Sequence, residues 1–284
     1  MIPAALEYHR PSSVTDAVKI IEEHGDEARV IAGGHSLIPL MKLRMTDLSH
    51  LVDMQDIADL KGINVDGNVA TIGAMTTQHE LIESDTLFRV APIMREAALQ
   101  IADPQVRDAG TVGGNVANGD PGNDMPGLMQ ALNAAFTLVG PDGAREVSAR
   151  DFYEAAYFTA REEDEILTKV SFAVHGKGYA YEKQKRKIGD YATAAAAVLI
   201  EKSSLSCSSA SIALTNLADT PIYCEDAVDA LVGSSLDEAA IDAAVKAAVG
   251  ASDPAEDNRG PIAFKKHCAA VIIRRAIERA ISRA

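Results

Sequence analysis

The sequence predicts an α+β protein in which two small mixed lobes precede an antiparallel sheet covered by helices. Three observations carry this. Short apolar runs alternate with amphipathic stretches in the first two thirds of the chain. Two turns contain glycine pairs, Ala32-Gly33-Gly34-His35-Ser36 and Thr111-Val112-Gly113-Gly114-Asn115. Finally, three closely spaced strand-like runs are followed by three helical ones.

The spacing predicts a helix from Ser13 to about His24, with Ser12 or Ser13 as N-cap and Gly25 as the stop. Ala28–Ala32 reads as a short strand running into the first glycine turn, Leu37–Leu43 as a helical turn and His50–Met54 as another strand. These form a βαβ-like lobe over residues 1–56. In the second lobe, residues 57–175, Gly62–Ile72 alternates and carries the hairpin signal Asp66-Gly67. Thr77–Ile82 and Phe88–Ile101 read as helices, with Pro92 in the first turn of the latter. Ala102–Gly110 reads as a loop, Leu128–Leu132 as the start of a helix, and Ala134–Val139 as a strand ending at Pro141-Asp142-Gly143. Ile166–Ala173 is the last strand of this lobe. A boundary at Gly176–Gly178 opens the third unit, residues 177–284. It holds strands at Tyr179–Glu182, Ala192–Glu201 and Ser209–Asn216, then helices at Cys224–Val232, Leu236–Val249 and Ile262–Ser282. A sheet under helices lets each helix bury its apolar face.

Composition narrows the function. With 47% hydrophobic and 24% charged residues, the 284-residue chain reads as globular. Its net charge of −14 argues against nucleic acid as a partner, and the longest basic cluster, Lys183–Lys187, is interrupted by Gln184. No apolar stretch approaches the roughly 20 residues of a bilayer span, and the N-terminus lacks the pattern of a signal peptide. The expectation is a cytoplasmic protein that reaches the inner face of a membrane only through partners. Cys207, Cys224 and Cys268 show no C-x-x-C spacing and read as small buried hydrophobes rather than cluster or zinc ligands. The seven histidines read as scattered, no metal site is expected, and aromatic platforms look scarce at 5% aromatic content.

Each glycine pair places flexible backbone beside a hydroxyl residue. Glycine lets a ligand approach the main chain, and successive N–H groups in a turn form an anion-binding concavity. Two such turns suit a diphosphate. Neither matches G-x-G-x-x-G or G-x-x-x-x-G-K-[ST]. The second turn opens a run from Gly110 to Gly127 with six glycines and two prolines. It reads as a long ordered loop of functional type. Several of Asn115, Asn118, Asp120, Asn123 and Asp124 should face a polar ligand such as ribose or ribityl hydroxyls. Asp103 and Arg107, just upstream, read as a pair with each other.

Ala32–Ser36 and Thr111–Asn115, with Asp124 downstream, Glu165-Ile166-Leu167 and Arg186-Lys187-Ile188-Gly189-Asp190-Tyr191, resemble the FAD-binding medium subunits of the molybdenum hydroxylases. The resemblance spans essentially the whole chain, and among those subunits the one from aerobic carbon monoxide dehydrogenase is the nearest in pattern. It implies a two-lobed FAD-binding domain of the PCMH/VAO type and a C-terminal domain like that of the CO dehydrogenase flavoprotein. It also implies that the amides of Ala32, Gly33, Gly34, His35 and Ser36, and those of Gly113, Gly114 and Asn115, hold the diphosphate. Ser36 and Thr111 would add hydroxyl donors, and Leu37 would complete the first turn. Asn118 and Asp124 would bond sugar or ribityl hydroxyls, while Ile101 and Leu167 would pack on apolar ring faces. Lys187 would stabilise the reduced, anionic ring, and Tyr191 would lie against the isoalloxazine.

The resemblance assigns no catalytic residue and no metal ligand to this chain. It implies a large molybdenum-cofactor subunit and a small iron–sulfur subunit as partners, arranged as a dimer of heterotrimers. Electrons would pass from the iron–sulfur clusters through FAD to a quinone or another acceptor. Aldehyde, xanthine and N-heterocycle dehydrogenases share this plan. From the residues alone, a stand-alone flavin oxidase or a non-enzymatic nucleotide-binding module also remain open.

Overall fold

The computed structural model describes residues 2–284. The first lobe runs β1 (Glu7–His9), α1 (Val14–His24), β2 (Ala28–Ile31), α2 (Leu37–Leu43) and β3 (His50–Asp53). Its three strands are parallel in the order β1-β3-β2. Helix α1 begins where the Ser13 hydroxyl accepts the Asp16 amide, and it stops at Gly25, whose φ of 50° few other residues adopt. It buries Ala17, Val18 and Ile21 against Val52 and Met54. Strand β1 lies outside the sequence expectation. Three residues, Glu-Tyr-His, carry no apolar alternation, and pairing with β3 alone makes them a strand.

The second lobe opens with the hairpin β4 (Ile63–Asp66) and β5 (Val69–Gly73), turning at Gly67 as expected. Six helices follow: α3 (Gln78–Glu83), α4 (Asp85–Val90), α5 (Pro92–Ala98), α6 (Pro104–Ala109), α7 (Val112–Ala117) and α8 (Asp124–Ala131). Next come β6 (Ala135–Gly140), β7 (Gly143–Ser148), α9 (Ala149–Phe152), the small hairpin β8 (Tyr153–Ala155) and β9 (Phe158–Thr159), and β10 (Ile166–Ala173). The five-stranded sheet is antiparallel, ordered β4-β5-β10-β6-β7.

Four expectations need correction here. The helix read as Phe88–Ile101 is two helices broken at Ala91, because Pro92 excludes the helical conformation from the residue before it. The expected loop at 102–110 contains α6, whose N-cap is Asp103, accepting from the Val106 amide. Arg107 therefore does not pair with Asp103; its guanidinium donates to the Ile101 carbonyl at 2.8 Å. The glycine-rich run is also no long loop, since α7 and the start of α8 occupy most of it and leave only residues 118–123 between them.

The third sheet is antiparallel, ordered β11 (Tyr179–Gln184), β12 (Ala194–Ser203), β13 (Ser206–Thr215) and β14 (Ile222–Tyr223). Three helices follow: α10 (Glu225–Leu231), α11 (Glu238–Ala251) and α12 (Ile262–Arg283). Strand β12 is buried on both faces. Ala195, Ala197 and Leu199 join the core shared with the second lobe, while Ala194, Ala196, Val198 and Ile200 face the core of α10–α12. Its alanines allow helices to approach from both sides, which explains a run that carries no other chemistry. All three cysteines are buried and unbonded. Among the described residues, no helix is long and apolar enough to cross a membrane.

The second lobe has one local anchor that matters for the cavity described below. Thr77 and Glu80 form a capping box at the start of α3, and Thr77 bridges to Thr111, the N-cap of α7. Replacing Thr77 with Ala removes one half of the box. We expect it to lower stability by about 1 kcal/mol, read as a lower urea midpoint with an unchanged m-value.

Candidate functional site

The two glycine turns, far apart in sequence, meet in space. A methyl group built on Gly33 would lie 2.4 Å from the Ala109 carbonyl oxygen and 2.7 Å from Gly110 Cα. Both obstacles are main chain and cannot swing aside. Gly34 has φ 73° and turns the chain from β2 into α2. A methyl on Gly113 would strike Ala74, so α7 lies directly on the end of β5. The glycines thus let three stretches of backbone pack within ordinary contact of one another.

Beside this junction lies a cavity of about 710 Å³, a size typical of small-molecule and cofactor sites. Fifteen of the sixteen residues singled out from the sequence line it: Ala32, Gly33, Gly34, His35, Ser36, Leu37, Ile101, Thr111, Gly113, Gly114, Asn115, Asn118, Asp124, Leu167 and Tyr191. Lys187 does not. It is exposed, and the lysine on the cavity wall is Lys183, four residues earlier on β11. The difference is one of strand direction: β11 aims Lys183 inward, and the chain has left the strand before Lys187.

The two turns differ chemically, which the sequence did not reveal. Among the described residues, the amides of Gly33, Gly34, His35, Ser36 and Leu37 have no acceptor within the protein. The Ser36 hydroxyl makes no capping bond either. This row of donors faces the cavity. The amides of the second turn are engaged: Gly113 donates to Ala74, Gly114 to the Thr111 hydroxyl oxygen at 3.0 Å, and Asn115 to the Thr111 carbonyl. Correcting the expectation, the second pair is the capped start of α7, not a second amide cradle. Thr111 still has its hydroxyl proton to donate.

Asp124 is nearly fully buried and committed to the protein. Its carboxylate accepts from Tyr181 Oη at 2.5 Å and from Lys183 Nζ at 2.7 Å. Lys183 Nζ also reaches the Gln100 carbonyl at 3.2 Å. Burial first, and then the neighbouring Asp124 charge, raise the Tyr181 phenol well above its ordinary pKa. It therefore stays a proton donor. Asn115 Oδ1 accepts the Met125 amide, and the Asn123 side chain bonds the Asn115 carbonyl, so this segment is rigidly held.

Three features escaped the sequence reading, whereas Asn123 was already among the polar residues expected to face a ligand. Gln78 is buried on the cavity wall with both its amide oxygen and nitrogen unpartnered, an arrangement that proteins seldom leave without a ligand. Asn123 lines the same wall. Arg161 is half-buried, desolvation lowers its pKa, and its guanidinium gathers the carbonyls of Glu162, Glu163 and Glu165. At the mouth stand Tyr157, Phe158 and Tyr191, so aromatic groups are locally abundant despite the low overall count. The Tyr191 ring lies over Gly122, where any side chain would collide with it. Burial, reinforced by Asp120, pushes the Tyr191 phenol up to about 12. One further expectation fails elsewhere: His9, His24 and His50 are gathered in the first lobe rather than scattered.

Residues 4–173 match the family described as FAD binding domain in molybdopterin dehydrogenase, and residues 179–280 match the CO dehydrogenase flavoprotein C-terminal domain. The carbon monoxide dehydrogenase medium chain of Afipia carboxidovorans is 57% identical over 100% of this chain and 99% of its own length. That of Hydrogenophaga pseudoflava is 44% identical with the same coverage. A crystal structure of a Cu,Mo-CO dehydrogenase in its cyanide-inactivated form superposes with a TM-score of 0.98 at 57% identity, covering 100% of both chains.

On the cavity wall, Glu165 binds Arg145 in a fork, at 2.5 and 2.7 Å, and accepts the Glu162 amide at 2.8 Å. Burial pushes its pKa up, but these bonds outweigh burial and hold it below the usual range. Its contribution to stability is therefore present above the unfolded-state pKa and is lost as pH falls through the lower folded one. We expect the stability of the wild type over Glu165→Gln to be largest near neutrality and to shrink below about pH 4. Urea titrations of both proteins across pH check this.

Proposed function

Because the chain belongs to the FAD-binding medium-subunit family of the molybdenum hydroxylases, we propose that it relays electrons within an aerobic carbon monoxide dehydrogenase. In this reading they arrive from iron–sulfur clusters of a small partner subunit, pass through FAD held here, and leave to a quinone or another external acceptor. A large partner subunit carries the molybdenum cofactor and the substrate chemistry, and two heterotrimers pair. The carbon monoxide assignment is supported by identities of 57% and 44% along essentially whole chains. The substrate itself would never touch this cavity. The family relationship makes the chain an oxidoreductase subunit of a multisubunit complex.

The observation that carries the FAD reading is the row of unengaged amides from Gly33 to Leu37, beside a buried Gln78 whose side-chain amide lacks partners. Such neutral donors suit a diphosphate in a chain of net charge −14, where a cluster of lysines is not at hand. Ala32–Leu37 would hold the diphosphate, and the Ser36 and Thr111 hydroxyls would donate to it. Gly113, Gly114 and Asn115 would act by letting α7 pack close, and Asn118 and Asn123 would meet the sugar and ribityl hydroxyls. Asp124 would act through Lys183 and Tyr181, which it fixes. Ile101 and Leu167 supply apolar contact, and Tyr191 shields the mouth. Lys183, rather than Lys187, would place a cation near the ring. When bound, FAD supplies the redox chemistry, and the protein supplies binding, orientation and electrostatics. The division into units 1–56, 57–175 and 177–284 is supported by three main sheets, one per unit, each contributing residues to the cavity wall.

Purified alone, the chain should show the visible absorbance of a flavin and no oxidation of carbon monoxide, an aldehyde or an N-heterocycle with a dye acceptor. Turnover by the isolated chain, or a colourless protein that takes up no FAD, overturns the reading. Gln78→Leu gives a sharper test. It removes two unpartnered polar atoms, so the flavin-free protein should become more stable, by about 1–3 kcal/mol. FAD affinity should fall roughly tenfold for the lost hydrogen bonds. Unfolding curves without FAD and fluorescence titration with it measure the two effects.

A further inference from the structure

His9, His24 and His50 each offer one ring nitrogen, and these three atoms lie within 4.8 Å of one another, outside the cavity lining. They come from three different elements: the end of β1, the last turn of α1 and the start of β3. The register of the parallel sheet sets Glu7 beside His50. His9 Nε2 is 3.0 Å from His50 Nδ1, and the Glu7 carboxylate oxygens stand 4.0 and 3.9 Å from those same two nitrogens. The ring of His24 stacks on that of His50, with centroids 3.6 Å apart.

We propose that these groups form a site for a divalent transition-metal ion of the zinc class, with His9, His24 and His50 as ligands and Glu7 as the fourth. The chemistry of the donors selects this class. Neutral imidazole favours zinc, copper and nickel over magnesium or calcium. Zinc–nitrogen bonds of about 2.0–2.1 Å in a tetrahedron place ligand nitrogens roughly 3.3 Å apart. The 3.0 Å pair is already close to that value, and the widest pair needs to close by about 1.5 Å. Ring rotations supply such a shift, and the Glu7 side chain is exposed and free to swing in. The ion would tie the end of α1 to β1 and β3, making it a structural clamp on the first lobe.

The test is titration of the full-length, EDTA-treated protein with Zn²⁺ alone, followed by calorimetry and by metal analysis after desalting. The expected result is one Zn²⁺ per chain and a higher melting temperature in its presence. Affinity should fall at least tenfold in His24→Gln and again in His50→Gln, while His79→Ala, an exposed histidine outside the cluster, should bind as the wild type does. His24 lies at a helix end, so its variant is expected to melt like the metal-free wild type, which separates lost ligation from lost folding. Replacing Zn²⁺ by Co²⁺ should give tetrahedral visible bands that His24→Gln abolishes. Absence of stoichiometric binding, or binding that survives both substitutions, overturns the proposal.

Discussion

The packing of Gly33 against the Ala109–Gly110 main chain is the contact on which the cavity depends. Backbone lies against backbone there, with no room for a methyl group. That closeness helps to fix the first lobe relative to the second, together with a core that Ala17, Val18 and Ile21 share with Met75 and Ile166. The amides of the β2–α2 turn beside this contact have no acceptor within the protein, and their residues line the cavity. A larger residue at Gly33 would push the β2–α2 turn and the Ala109–Gly110 main chain apart. The two glycine pairs thus have different tasks: the first presents donors, and the second permits the approach.

A second constraint ties the third sheet to this junction. Asp124, at the start of α8, holds both Tyr181 and Lys183 of β11. A buried ion pair of this kind costs about as much in desolvation as it returns in attraction, so it is poor evidence for added stability. Its use is geometric. Tyr181 stays protonated, Lys183 lies against its carboxylate partner, and together they tie β11 to the start of α8. Removing only the carboxylate would leave a buried cation unpaired, a far larger perturbation than losing the bond itself.

Most of the fold was legible because its signals are local. Ser13 and Gly25 delimit α1, Asp66-Gly67 turns the first hairpin, and the α12 pattern persists over six turns. What stayed hidden depends on tertiary pairing. Glu7-Tyr8-His9 is a strand only because β3 lies beside it. Asp103 reads as one half of an ion pair until its carboxylate is found capping α6. The site behaved in the same way. The glycine turns announced themselves by composition, and most of the residues named from the resemblance line one cavity. Yet Gln78 looks like any residue in the first turn of an amphipathic helix, and only burial without partners sets it apart. Lys183 and Lys187 sit in the same basic cluster, and only the direction of β11 distinguishes them.

The donor set explains how an acidic chain could host an anionic cofactor. Amide dipoles at Gly33–Leu37, two hydroxyls and a neutral carboxamide are held in place by the fold and would need little reorganisation when a diphosphate arrives. Free lysines on the same wall would behave otherwise. They would need carboxylate partners in the absence of ligand, as Lys183 already does with Asp124, and breaking those pairs would oppose binding. The separation of roles follows from that. The lysine on the wall near β11 is paired and fixed, while the turn from β2 to α2 offers main-chain amides and the Ser36 hydroxyl. A cation held by Asp124 can bias the electrostatics of a bound ring without competing for the diphosphate.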